Sequence, residues 1–213
     1  MVVVKWLGHA CFEIRNNVSI VTDPHDGRAL GIRPPKANGD IVLISHDHFD
    51  HIDGRKLVAK PDAQVISKAG RYEVKGVKIE GFGAFHDKSK GSQRGQNIIF
   101  VFELEGIRFC HVGDLGHTLS SEQIKQIGAI DVLMVPVGGT YTVDAKEATQ
   151  LVDQLKPKLV IPMHYNIAGL NLPISSVEDF LKGKTNVKRI ESSEFTISKQ
   201  TLPEKTEIAV LRF

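Results

Sequence analysis

The stretch "DIVLISHDHFDH", residues 40–51, runs from an unbroken apolar segment into three histidines and two aspartates crowded within Ser45–His51. Ile41–Ile44 is the kind of run that forms a strand buried on both faces. Where the chain stays extended past such a strand, residues two apart point the same way, so His46 and His48 converge on one point. Imidazole nitrogens are good ligands for zinc and similar borderline metals. Asp50 and His51 are adjacent, and a turn there aims them at a second point nearby. The same few residues can thus serve two metal ions. A polar turn with incidental histidines is the competing reading, and the density of ligand-type side chains argues against it.

Two metal ions need more donors than this segment supplies. The candidates stand at the ends of later strand-like runs. His86 follows "GVKIEGFGAF" (76–85) and opens the polar loop "HDKSKGSQRGQ" (86–96). Asp114 follows "IRFCHV" (107–112) inside "GDLG", where the glycines let the backbone turn sharply. His164 follows "KLVIPM" (158–163). Alone, each is weak, since a histidine at a strand end is commonly a surface or capping residue. Together they repeat one context, a strand delivering a ligand.

Around these points the first third reads as short strands, "VVVKWL", "CFEIR" and "VSIVTD", with Asn16-Asn17 as a turn between the last two. Residues 28–40 read as a loop, and further strands are expected at 63–67 and 97–105. In the last half "SSEQIKQIG" has Ser120 or Ser121 as a helix cap and Gly128 as a stop. "DAKEATQLVDQLKP" has Asp144 and Glu147 at capping-box spacing, and its apolar face is Ala148, Leu151, Val152 and Leu155. "SSVEDFLKG" repeats that spacing from Ser175 to Glu178. The buried-type strands "IDVLMVPV" and "KLVIPMH" lie between these helices. The pattern predicts an α/β protein with a strand sandwich in the middle and helices outside, as a single domain over 1–213.

Composition bounds the function. The chain has 213 residues, 41% hydrophobic and 24% charged, with a formal net charge of +2. That is ordinary for a soluble domain and gives no global electrostatic case for nucleic acid or membrane. No apolar run approaches the ~20 residues of a membrane span. The start lacks the unbroken apolar core of a signal peptide, so a cytoplasmic chain is expected. Cys11 and Cys110 read as buried reduced thiols rather than a disulfide or metal pair.

These motifs resemble the metallo-β-lactamase superfamily nearly end to end. "HDHFDH" carries its HxHxDH signature in full. His86 matches its later single histidine, Asp114 its bridging aspartate in a "GD" turn, and His164 its final histidine. "WLGHACFEI", "TDP", "GDLGH" and "PMHY" resemble the branch holding L-ascorbate-6-phosphate lactonase and predicted metal-dependent hydrolases. N-acylphosphatidylethanolamine phospholipase D is a more distant likeness. The resemblance implies a four-layer αββα sandwich with two divalent metal ions at one edge, zinc first, with manganese or iron as alternatives. His46, His48 and His86 would hold one metal. Asp50, His51 and His164 would hold the other, and Asp114 would bridge. It further implies hydrolysis by a metal-activated hydroxide, with Asp50 and Asp114 as the catalytic carboxylates and Asp50 orienting the nucleophile or moving a proton. The flavodiiron branch has a carboxylate where His48 stands, which favours hydrolysis over redox chemistry.

The expected substrate is a small, phosphorylated or lactone-type molecule. A phosphodiesterase or nuclease on the same fold is the alternative. The RNA-cleaving branches carry an inserted domain or an exosite arm, for which this chain has no room and no extended basic segment. A non-catalytic scaffold would be expected to lose ligands, and none of the seven is missing. His9 reads equally as a group beside the metals or as a strand-end residue. Asp23 reads as support for the ligands, His111 as core and His25 as surface, while His117 has a substrate-facing alternative. Lys88, Lys90 and Arg94 either recruit an anion or form a solvated loop. Tyr141 and Thr142 are candidate pocket residues.

Overall fold

The computed structural model describes residues 1–213. Its strands are β1 (Val2–Trp6), β2 (Phe12–Arg15), β3 (Ser19–Thr22), β4 (Gly39–Leu43), β5 (Ala59–Ile66), β6 (Gly70–Val74), β7 (Val77–Phe85), β8 (Gln96–Leu104), β9 (Ile107–His111), β10 (Val132–Pro136), β11 (Leu159–Met163), β12 (Val187–Ile190), β13 (Glu194–Ile197) and β14 (Glu207–Leu211). The helices are α1 (Phe49–Ile52), α2 (Arg55–Val58), α3 (Ser121–Ile127), α4 (Ala145–Leu155) and α5 (Val177–Leu181).

One sheet has the order β13-β1-β2-β3-β4-β5 and the other β12-β14-β11-β10-β9-β8-β7-β6. Each begins as an antiparallel meander and continues in parallel strands, with β3-β4-β5 in the first and β9-β10-β11-β14 in the second. The period-2 alternation of the first sheet shows which face meets which core. Ile20, Ile41 and Leu43 join the large core that also holds Phe100, Phe102 and Phe109 of the second sheet. Their neighbours Val21, Val42 and Ile44 turn to a small outer core with Leu7, Cys11 and Val58. The outer layer on the first sheet is therefore thin, made by the one-turn helices α1 and α2 and nearby loop residues. On the second sheet α4 buries Ala148, Leu151 and Leu155, the face expected from sequence. The architecture is the α/β sandwich that the sequence predicted, and no helix is long and apolar enough to cross a membrane.

Two helix starts form as expected, since Ser120 with Gln123 and Asp144 with Glu147 close capping boxes. The third differs. Ser176, not Ser175, caps α5 and accepts from the Glu178 N–H. Ser175 is committed elsewhere: its N–H donates to the Gly138 carbonyl and its carbonyl accepts from Asn166. Four strands go beyond the sequence expectations. β6, β12 and β13 are short and largely exposed, with charged residues interrupting any alternation, while β14 carries the buried run Ile208–Leu211.

Candidate metal centre

The donors gather where strands end. The chain leaves β4 into His46 and His48, and β7 into His86. It leaves β9 into Asp114 and β11 into His164. His48, with φ −73° and ψ 148°, is still extended, so His46 and His48 bring their rings within 4.6 Å. The one-turn helix α1 then turns Asp50 and His51 inward, while Asp47 and Phe49 stay exposed.

Donor atoms of His46, His48 and His86 lie within 4.8 Å of one another, and so do those of His9, Asp50, His51 and His164. Asp114 stands between the groups. Its Oδ2 is 3.3 Å from His86 Nε2, 3.2 Å from His164 Nε2 and 4.0 Å from His46 Nε2, and its Oδ1 is 3.3 Å from His51 Nε2. All seven sequence-predicted donors thus converge. His9, left open by sequence, joins them. It is fully buried, with Nε2 2.9 Å from Asp50 Oδ2 and its ring centroid 4.0 Å from that of His164.

The His46 tautomer follows from a second layer of hydrogen bonds. Asp23 is fully buried and, as a carboxylate, can only accept. Its Oδ1 accepts from the Ser45 N–H at 2.7 Å, and its Oδ2 accepts from the Ser45 hydroxyl at 2.8 Å and from His111 Nε2 at 2.7 Å. The single Ser45 proton being spent on Asp23, the 2.9 Å contact of Ser45 Oγ with His46 Nδ1 requires that nitrogen to donate. His46 therefore presents its Nε2 lone pair inward. His51 Nδ1 faces Asp23 Oδ2 at 3.1 Å, which leaves its Nε2 3.3 Å from Asp114 Oδ1. A lone pair of His46 facing the Asp114 carboxylate repels it unless a cation lies between. Buried His46 Nε2, His164 Nε2 and Asp114 Oδ1 have no hydrogen-bond partner in the protein. This donor set fits divalent metal.

Electrostatics agrees. Burial and then the neighbouring His51 push His46 down to about 3, keeping its ring neutral. Burial and then His164 do the same to His9, also to about 3. Burial raises the Asp114 carboxyl, but His164 and His51 outweigh it and hold the group well below the usual carboxylate range. Burial would lower His51, yet Asp114, Asp50 and Asp23 around it push it well above an ordinary histidine. That ring sits in the most cation-favouring spot of the cluster.

His9, Asp23 and His164 all have left-handed backbone, with φ of 53°, 38° and 50°. Such non-glycine positions cost ~1–3 kcal/mol each and persist where surroundings over-determine them. Here the His9 carbonyl accepts from both the Trp6 indole at 3.0 Å and the His164 N–H at 3.1 Å, which ties two of the strained residues together. Asp114 is aimed by a tight turn at Gly113, φ 57°, where a Cβ would collide with Asn97 and Ser45. Buried Asn97 spans that turn, its amide donating to the Val112 carbonyl at 2.8 Å and its oxygen accepting from the Asp114 N–H at 3.0 Å. Ser45 and Asn97 escaped sequence reasoning. The available signals were an amide at the head of the apolar run "NIIFVF" and a hydroxyl between strand and motif.

Among the remaining histidines one expectation is corrected. His25, expected at the surface, is buried with Nε2 donating to the Leu7 carbonyl at 3.1 Å. Gly54 packs against its backbone, so the turn after α1 covers it. His117 is held within the protein. Its Nδ1 donates to the Thr118 carbonyl at 2.8 Å and its Nε2 accepts from the Phe85 N–H at 3.2 Å, so both nitrogens are occupied. His111 is a core strand residue, as expected, and also anchors Asp23. Cys11 and Cys110 are buried and free.

A sandwich of this topology with this donor cluster defines a class, and the comparisons with known proteins give the same one. The model of the beta-lactamase superfamily domain matches residues 3–164, and the chain belongs to that superfamily. Within it the chain is similar to UPF0173 metal-dependent hydrolases and is a metal-dependent hydrolase by family. The Thermococcus onnurineus member is 36% identical, covering 78% of this chain and 85% of the relative. The Pyrococcus abyssi member is 35% identical over the same shares. A crystal structure from Thermotoga maritima, of a candidate Zn-dependent hydrolase of the metallo-beta-lactamase superfamily, matches with TM-score 0.82 and 40% identity, covering 99% of this chain and 98% of that one.

Proposed function

We propose that the chain is a binuclear hydrolase of small molecules, loaded with two divalent cations, zinc first. The observation that carries this is Asp114. One carboxylate lies between two donor groups, and the His46 lone pair, whose direction is set by Asp23 through Ser45, faces it. His46, His48 and His86 would hold one ion, and Asp50, His51 and His164 the other, with Asp114 shared. When bound, such a pair supplies a water activated near neutral pH and an electrophilic pull on the substrate oxygen. Five imidazoles, two carboxylates and no thiolate suit zinc and leave manganese or iron as second choices.

The protein's own groups do the rest. Asp50 Oδ2 is fixed by the His9 N–H, while Oδ1 makes no hydrogen bond to the protein and is free to orient the nucleophile or take its proton. Asp23 keeps His51 from turning. A cleft of about 380 Å³ opens beside His86. That is at the small end of ligand pockets and supports a small substrate over a polymer. The two free buried thiols support a cytoplasmic setting.

Elemental analysis of natively purified protein is expected to find about two transition-metal ions per chain. Fewer than one would sink the binuclear reading. Asp114→Ala is expected to remain folded by circular dichroism and to lose all turnover on a panel of lactones, thioesters and phosphodiesters. Surviving turnover would remove Asp114 from its bridging role.

A further inference from the structure

The cleft beside His86 lies between the 87–94 loop and the segment 140–144 that follows β10. Its charged side chains are Asp87, Asp144, Glu147, Lys88 and Arg94, and all but Arg94 have polar partners within the protein. Asp87 accepts from the backbone N–H groups of Ser89, Gly91, Gln93 and Arg94, so its carboxylate is consumed in shaping the loop. Glu147 is 2.6 Å from Lys88 Nζ, which neutralises both. Asp144 accepts from the Glu147 N–H as the cap of α4. Arg94 remains. Its guanidinium Cζ lies 4.5 Å from the Tyr141 ring centroid, stacked on that face, and no carboxylate or carbonyl of the protein accepts from its N–H donors.

A guanidinium braced on an aromatic face keeps its donor edge free and has fewer conformations to lose on binding. The brace is fixed relative to the metal donors. The His86 N–H donates to the Gly95 carbonyl at 3.1 Å, so the loop closes on itself between His86 and Arg94. The Gly95 N–H donates to Gly91 at 3.0 Å, and four backbone bonds to Asp87 hold the interior. An arm so placed is a fork for a planar or tetrahedral oxyanion.

We propose that Arg94, braced on Tyr141, receives the anionic group of the substrate, a carboxylate or a phosphate, and that the reacting bond is presented to the His86 end of the same cleft. Lys88 is not a second receptor, because Glu147 holds it. The proposal rests on the small-molecule hydrolase reading above, and it specifies the substrate as an anion with its charge set apart from the scissile group.

The test uses metal-loaded protein and calorimetric titration with propionate, succinate and 3-phosphonopropionate. Propionate can occupy the metal end alone, while the other two carry a second anionic group. The wild type is expected to bind at least one two-headed probe ~10-fold more tightly than propionate, and Arg94→Ala to lose that advantage with propionate affinity and metal content unchanged. Tyr141→Leu is expected to lose part of it. Whichever probe depends more on Arg94 names the anion. An Arg94→Ala protein that binds all three as the wild type does would overturn the proposal, as would a wild type with no preference for either two-headed probe. Arg94-dependent binding in a protein that retains no metal would instead sink the hydrolase reading and leave the receptor standing.

Discussion

On one side of the site His46, His48, Asp50 and His51 come from six consecutive residues, while on the other His86, Asp114 and His164 arrive from the ends of β7, β9 and β11. The first wall is written locally: an extended step pairs His46 with His48, and a one-turn helix redirects Asp50 and His51. The second depends on strand order. In the sheet β11-β10-β9-β8-β7, the strand ending near Asp114 has one strand between it and each of the other two. Each gap is two strand spacings, roughly 10 Å, which the loops and side chains close. Asp114 is central in the site because its strand is central among the three.

The local wall still leans on something distant. Asp23 follows β3, and it sets the tautomer of His46, through Ser45, and places a carboxylate 3.1 Å from His51 Nδ1. Asp23→Asn keeps the shape but puts an amide N–H where an acceptor is needed. Metal affinity is expected to fall ~10–100-fold, read by competition with a chromogenic chelator. This should be the largest effect of any residue outside the donor set. Unchanged affinity would mean that the rings do not need Asp23 to fix them.

On the distributed wall the equivalent support is Asn97. Asn97→Ala leaves the Asp114 N–H and the Val112 carbonyl unpaired inside the protein, and a buried unpaired group costs about 1–3 kcal/mol. Urea unfolding should show that loss. Metal affinity should fall by less than in Asp23→Asn, because Asn97 orients the backbone of one donor and no ring. If the two variants weakened metal binding equally, the two walls would share one support rather than two.

This asymmetry also explains what was legible in the sequence. The HxHxDH segment could be read as ligands from spacing alone, since its geometry is local. His86, Asp114 and His164 could be nominated by their shared strand-end context, but only the sheet order brings them together. Asp23 could be read as support because a buried-type strand delivers it. Ser45 and Asn97, by contrast, are single polar residues whose roles depend on partners 1 and 17 positions away, and no periodicity marks them. The strands of the exposed edge, such as β6, were hidden for another reason. Their charged residues keep an edge from pairing with other chains and erase the hydrophobic pattern.

The smallest expected effect lies at the far end of the local wall. Asp40, on β4, accepts from the Ser19 N–H, Lys60 Nζ and Lys75 Nζ, each at 2.9 Å. Burial raises its carboxyl, but Lys75, the Ser19 N–H and Lys60 outweigh that and bring it down to about 2. A folded value below the unfolded one, about 3.9, means the stabilisation is complete above that pH and disappears as pH falls toward 2. The lysine side chains are 34% and 38% exposed, so solvent screens part of the gain. Asp40→Asn should therefore cost about 1–2 kcal/mol at pH 7. In paired urea titrations of metal-stripped proteins the gap between variant and wild type should close between pH 4 and 2, because protonation of the histidine donors is common to both and cancels. A gap that stayed constant to pH 2 would assign Asp40 a packing role instead. Metal content and turnover should not change, since Asp40 steadies the start of the strand and not the residues at its end.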